Sequence, residues 1–540
     1  MRRSLLTIAW VTLSCCMAAQ GNEFDILIEM GESLSENEEN RIDMEELEEE
    51  FSELSERKID INKATVTDLL RLSFLTDTDA ESIVNHRKRF GFFLSLYELK
   101  YVPGLNREKI EAALPFLLIS NSDERKITQR LSPSRNEVQI RHDRTLETKE
   151  GYRDPEPEST ASKYTGDPNH YYLKYKLQCS DLLQLGFAGE KDPGECAWSN
   201  GNRVFDFTSA HLQINGIGPV KRICVGDFKA NFGQGLVIGT SSIIGKSNNV
   251  LNTMERNRGI IKYTSIGESG FLRGGGITIK GYGIETSLFA SHRKTDSNLS
   301  ENRHITSFKT DGLHRTDKEM EKERNTTETI YGGNVTYQQT TRHIGLTFLH
   351  YRYGDTLQPA DYAYNRHKTQ QTDKHWNASL DYAFRKYKMR FFGELATDNS
   401  REWAFMNGCK LYPNSRMGIL LLYRNYSPCY QANYANGFGE NSRIENEEGL
   451  YLGCEMKPVK RFFFSFYIDA FRFPWLKFGV DKSYSTGHDY LFYSSFLLSQ
   501  KMNLYLKLKG KTVEKNDICG TVSDNIRRSL RCGLKHNSFF

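Results

Sequence analysis

From Glu137 onward the chain alternates apolar and polar residues with a period of two, a pattern that fits an antiparallel sheet and little else. The clearest run is Trp376-Asn377-Ala378-Ser379-Leu380-Asp381-Tyr382-Ala383-Phe384. Trp, Ala, Leu, Tyr and Phe share one face; Asn, Ser and Asp share the other, with Ala383 the exception. Beyond Arg385-Lys386, Met389, Phe391, Gly393 and Leu395 continue the apolar face against Lys388, Arg390 and Glu394. Hairpins are predicted at Tyr171–Gly189, Phe271–Ser291, Val335–Tyr353 and Phe462–Phe473. Such strands predict a polar interior, which a soluble sandwich does not tolerate and a membrane barrel does.

Connection lengths point the same way. Short turns such as Lys280-Gly281 and Arg385-Lys386-Tyr387 alternate with long polar loops at His292–Glu328, Gly354–Lys374 and Asn425–Glu447. That asymmetry is typical of outer-membrane barrels, whose turns are short on one side only. A soluble secreted protein with several sheets is the competing reading. The composition, with 28 Tyr, 32 Phe and only 13 Pro, suits strands with aromatic girdles. Mean hydropathy is −0.58, and no apolar run long enough for a spanning helix follows the N-terminus, which leaves a barrel open. A net charge of +4 selects no class of partner.

Within the sheet region, Val225–Ile238 joins β-branched and aromatic residues to Gly226, Gly233 and Gly235. It predicts one long strand bent at glycine corners.

The N-terminal quarter is different. Met1-Arg2-Arg3, the apolar Leu5–Met17 and Ala18-Ala19-Gln20 predict a signal peptide over residues 1–20, with Cys15 and Cys16 raising a lipoprotein alternative. Eight cysteines follow, none in zinc-binding spacing. Residues 21–57 form an acidic segment with a predicted helix over Glu29–Glu56. Residues 58–120 carry helical periodicity, 121–136 a polar linker, and 137–540 the sheet domain.

Three features of the 58–120 segment stand out: Ile61-Asn62-Lys63-Ala64-Thr65, the run His86–Leu105, and the spacing between them. They resemble a tandem helix-hairpin-helix domain of the ComEA type. The resemblance implies phosphate binding by backbone N–H groups at a hairpin, with nearby bases neutralising the nucleic-acid backbone. The candidate nucleic-acid-binding residues are Arg87, Lys88, Arg89, Lys100, Gly104, Asn106, Arg107 and Lys109. Two departures weigh against it. The first hairpin reads Phe74-Leu75-Thr76-Asp77, where Asp77 and Asp79 repel phosphate, and Asn106 replaces the second glycine of the second hairpin.

Longer strings, among them Gly226–Gly239, Glu268–Gly276, Asn446–Gly453 and Tyr467–Asp481, are similar to exported helix-hairpin-helix proteins of the Bacteroidota type. That likeness implies a barrel and an envelope location without an assigned activity. Relatives of this kind continue past the region of Lys511, whereas Ile518–Phe540 is short and polar. A truncated chain with an unclosed sheet is therefore expected, against the alternative of a last strand ending in Phe539-Phe540.

The sequence offers little catalytic chemistry. Glu190, Asp192 and Glu195 are a weak candidate for a hard cation. Lys246-Ser247 lacks a phosphate-loop frame, and no nucleophile elbow, zinc motif or spaced triad appears. Arg424 and its neighbours Tyr423, Asn425 and Tyr426, with Glu445, Glu447 and Glu448, predict a structural salt-bridge network. No metal, cofactor or enzymatic activity is expected. The fold expected is α+β: a small helix-hairpin-helix domain, then a large antiparallel barrel, truncated or not. Two functions remain. In one, an outer-membrane barrel carries a periplasmic domain that binds double-stranded DNA for uptake or handling. In the other, an envelope protein uses the domain to dock a protein partner.

Overall fold

The computed structural model describes residues 58–536, apart from 73–74, 106, 120–130, 132–134, 155–161, 181, 197–203, 241–245, 254–256, 340, 367–371, 415, 460, 500–501 and 518–519. The signal peptide and acidic segment expected over 1–57 lie outside the described residues, as do Phe74 and Asn106.

The helical domain is built from α1 (Val66–Leu69), α2 (Asp77–Phe90), a 3₁₀ turn (Leu96–Tyr101) and α3 (Arg107–Ala113). Each of the first three elements starts on a capping box, Thr65 with Asp68, Thr76 with Asp79 and Ser95 with Glu98. Asp79, read in the sequence as a phosphate-repelling turn residue, thus caps α2. Leu69, Leu72, Leu75, Ile83, Phe93, Leu99 and Phe116 fill the core. A two-residue parallel pair, Ile59–Asp60 with Leu117–Leu118, ties the ends of the domain together. Asn62 accepts from Phe93 N at 2.9 Å and donates to Phe93 O at 2.9 Å, locking the first hairpin to the second. Gly91 and Gly104, both at φ +96°, make the turns that other residues resist.

The second sheet closes on itself. Among the described residues it has twenty-one strands; three short ones (Gly259–Lys262, Ser297–Leu299, Ile305–Phe308) lie beside neighbours that also pair directly, leaving eighteen long strands in the wall. Every register between consecutive long strands is antiparallel, as in Leu346↔Leu380 and Leu380↔Leu395. The expectation of an unclosed sheet is overturned. Val522–His536 pairs along its length with Met502–Asn516, and the ring is complete. Phe462–Phe473, read as a hairpin, is one strand.

The alternation sorts as its chemistry dictates. Leu346, Leu380, Leu395, Leu450 and Ile468 are about half exposed on the outer wall, while Thr347, Ser379 and Asp381 on the same strands are buried inside. An apolar belt this continuous does not face water in a soluble protein and marks a lipid-facing surface.

The interior is not simply polar. The wall strand Val220–Asn231 takes in Gly226 but ends before Gly233 and Gly235, and residues 232–238 leave the sheet and enter the lumen. The expected single strand over Val225–Ile238 is therefore two things, half wall and half plug. Phe232, Leu236, Val237 and Ile238 pack there against Tyr351, Phe392, Tyr430 and Phe438. Gly233 and Gly235 hold φ of +61° and +82°, and a Cβ on Gly235 would sit 2.4 Å from Asn436 O. A second inward segment, 427–446, meets the first: Asn436 N donates to Gly235 O at 2.9 Å and Tyr430 Oη to Leu236 O at 2.7 Å.

Candidate functional site: a capped and plugged mouth

The plug is held to the wall by buried charge. Arg424, on the strand Met417–Tyr426, is fully buried and donates to Glu447 at 2.5 Å and to both Asp469 oxygens at 2.8 and 3.0 Å. Lys246 lies 2.6 Å from Glu440 of the second inward segment and 2.6 Å from Asp469 of the wall. Glu394 receives Gln234 N at 2.6 Å and Leu236 N at 3.1 Å, which the glycine beside it permits by removing a side chain. Charges so deep in a low-dielectric interior persist because each has partners. Of the network predicted around Arg424, Glu447 is a direct partner, while Glu448 faces outward to Tyr423 at 3.0 Å and to Arg472. Asp469 and Lys246 were not predicted: they are 45 and 178 residues away from Arg424 in sequence, and nothing local links them.

The helical domain sits on the short-turn mouth. Glu81 of α2, buried, is bonded by Arg385 and, at 2.9 Å, by Arg390. These two arginines flank the tight turn at Tyr387, which holds φ +55°. A cavity of about 580 Å³ lies between domain and barrel, lined by Arg71, Arg87 and Lys88 on one side and by inward residues such as Lys229 and His343 on the other.

The candidate nucleic-acid residues are therefore distributed over two surfaces. Arg87 donates to the carbonyls of Ile61 at 2.6 Å and Ala64 at 3.0 Å, bracing the first hairpin. Lys109 pairs with Asp79 at 2.5 Å. Lys88 lines the cavity. Arg89 and Lys100 lie over the rings of Phe90 and Tyr101, on a face where Phe92, Leu94 and Tyr97 are also exposed. Gly104 lies in an exposed turn, and Arg107 begins α3.

At the opposite, long-loop end, His314 is buried with Nδ1 2.6 Å from Asp206 and Nε2 2.6 Å from Asp296, and its N–H donates to Glu195 at 2.9 Å. Burial opposes charge on His314, but the two carboxylates win and hold its pKa up to about 11. Burial, reinforced by Asp206, pushes Glu195 up to about 7 and Glu268 up to about 9. Of the predicted cation candidates, Glu190 and Asp192 gather with His170, and Glu195 gathers with Asp206 and His314 instead. An imidazolium bridging two carboxylates accounts for the His314 cluster as a loop lock.

A family model described as helix-hairpin-helix motif matches residues 54–118. No curated protein matches the sequence. Solved structures similar to it include Pseudomonas aeruginosa OccK11 (OpdR), at 11% identity, 68% of this chain, 89% of that chain and a TM-score of 0.37. The anion-selective porin from Comamonas acidovorans is similar at 10% identity, 69% and 90% coverage and a TM-score of 0.26. The outer membrane channel DcaP of Acinetobacter baumannii matches at 11%, 69% and 85%, again with a TM-score of 0.26. Likenesses of this size leave the barrel resting on its own strand order. What stands is a closed antiparallel barrel preceded by a helix-hairpin-helix domain.

Proposed function

We propose that the protein is an outer-membrane pore whose helix-hairpin-helix domain caps the periplasmic mouth. The observation that carries this is the pair of bonds from buried Glu81 to Arg385 and Arg390. They fix the domain at the end where turns are short, and in bacterial barrels that end faces the periplasm. The apolar belt supports the membrane, and the inward segments leave a constricted lumen for the cap to regulate. The test is conductance of the full chain in a planar bilayer. Glu81→Lys, which sets three cations together at the contact, is expected to raise current; unchanged current would refute the cap.

The DNA-handling reading is favoured by one observation. Arg89 over Phe90 and Lys100 over Tyr101 are exposed and clear of the barrel contact, where their charges can neutralise a nucleic-acid backbone. Salt-sensitive binding of double-stranded DNA by the full chain, lost in Arg89→Ala with Lys100→Ala, would support it. Binding of a protein partner to that same face, without DNA binding, would favour docking.

A further inference from the structure

We infer that the lumen favours anions through two separate cationic stretches, the cavity under the cap and the inner face of the seam where the first and last wall strands meet; this rests on the pore reading above. Most of the lumen is filled, but the seam is not. The strand Arg135–Arg144 is exposed almost throughout, and so is 522–534, although one face of each strand points to lipid and the other inward. Water therefore reaches the inner face here.

That inner face is cationic. Lys511 points inward, since it bonds Glu440 of the plug, and Arg527 is its register partner. Register partners share a face, which places Arg531 inward beside Lys507, itself buried. On the adjoining strand the two inward carboxylates are already matched by neighbours: Glu137 by Arg135 at 2.9 Å, and Asp143 by Arg141. Lys507, Lys511, Arg527 and Arg531 thus gather on one stretch of the inner face.

The cavity under the cap repeats the pattern. Eleven Lys and Arg side chains line it against two carboxylates, Asp68 and Glu285. Glu285 is further bound by Lys221 at 2.6 Å and Lys280 at 2.9 Å. A volume of about 580 Å³ holds a small polyvalent anion such as a phosphorylated or carboxylated metabolite, not a folded macromolecule. Like charges lining a low-dielectric passage focus the field and concentrate counter-ions of opposite sign.

The test is reversal potential for the full chain in a planar bilayer under a KCl gradient, with inorganic pyrophosphate then added on the cap side. The wild type is expected to prefer chloride and to be blocked by pyrophosphate. Arg527→Glu with Arg531→Glu should lower the chloride-to-potassium preference by roughly tenfold while current persists. Lys229→Gln with Lys262→Gln should weaken the pyrophosphate block and leave selectivity at the seam. Cation preference, or none, in a conducting wild type overturns the inference and leaves the pore standing. No current under any condition, including Glu81→Lys, removes the pore itself.

Discussion

Arg424→Met removes the centre of the plug lock while keeping its volume. Arg424 makes three hydrogen bonds, one to Glu447 and two to Asp469, all inside the wall. Breaking a buried pair from one side typically costs about 3–5 kcal/mol, because the orphaned charge stays behind. Here both orphans retain partners. Glu447 still receives Glu440 N at 2.9 Å and Asn441 N at 3.0 Å, and Asp469 keeps Lys246 at 2.6 Å. The loss should therefore fall at the low end, about 3 kcal/mol. In guanidinium unfolding of the detergent-solubilised chain, followed by tryptophan fluorescence, the barrel transition should move to lower denaturant with its slope unchanged. Asp469→Asn in the Arg424→Met background should cost much less than in the wild type, giving a coupling of about 1–3 kcal/mol. Additive losses, or an Arg424→Met loss below about 1 kcal/mol, would show that the network does not hold the plug.

Three other outcomes follow from the same geometry. Gly235→Ala meets both a left-handed backbone and Asn436 O, so it should destabilise by more than the roughly 1–2 kcal/mol of backbone strain expected for Gly91→Ala, where nothing lies within 4 Å, and it alone should raise conductance. Leu380→Arg, on the lipid face, should cost about 2–4 kcal/mol of barrel stability in bilayers, whereas a water-facing wall would tolerate it. The His314 lock should weaken as pH rises. His314 is raised from 6.5 to about 11, so its contribution is full below pH 6.5 and lost through 11; Glu195 and Glu268, raised from 4.5 to about 7 and 9, hold protons that the unfolded chain releases above 4.5, and so act in the same direction. The thermal midpoint of the barrel should fall between pH 6 and 10, and His314→Gln should lower it at pH 6 more than at pH 10; equal loss at both would contradict the charge assignment.

The wall was legible because lipid leaves a mark on sequence. Leu380 must face out and Asp381 in, and a period of two records both. The plug was not, since Phe232–Ile238 has the composition of a strand. What diverts it is Glu394, about 160 residues on, which binds Gln234 N and Leu236 N and has no local signature. The helical domain was readable from its caps and apolar spacing, but the use of its charges was not. Arg87 and Lys109 read as phosphate ligands until Ile61 O and Asp79 are seen to occupy them. Nor does any sequence pattern announce that Glu81 meets Arg385 and Arg390, because a contact between domains is a matter of shape, settled only when both have folded.

That contact is what holds the helical domain on the mouth. Glu81→Cys and Arg390→Cys, in a chain whose native cysteines are replaced by serine, can be bridged by a short cleavable bis-methanethiosulfonate and the channel recorded before and after reduction. Efficient bridging, low current while bridged and a rise on reduction are expected. No bridging, or a current indifferent to reduction, would mean that the helix-hairpin-helix domain does not close this mouth.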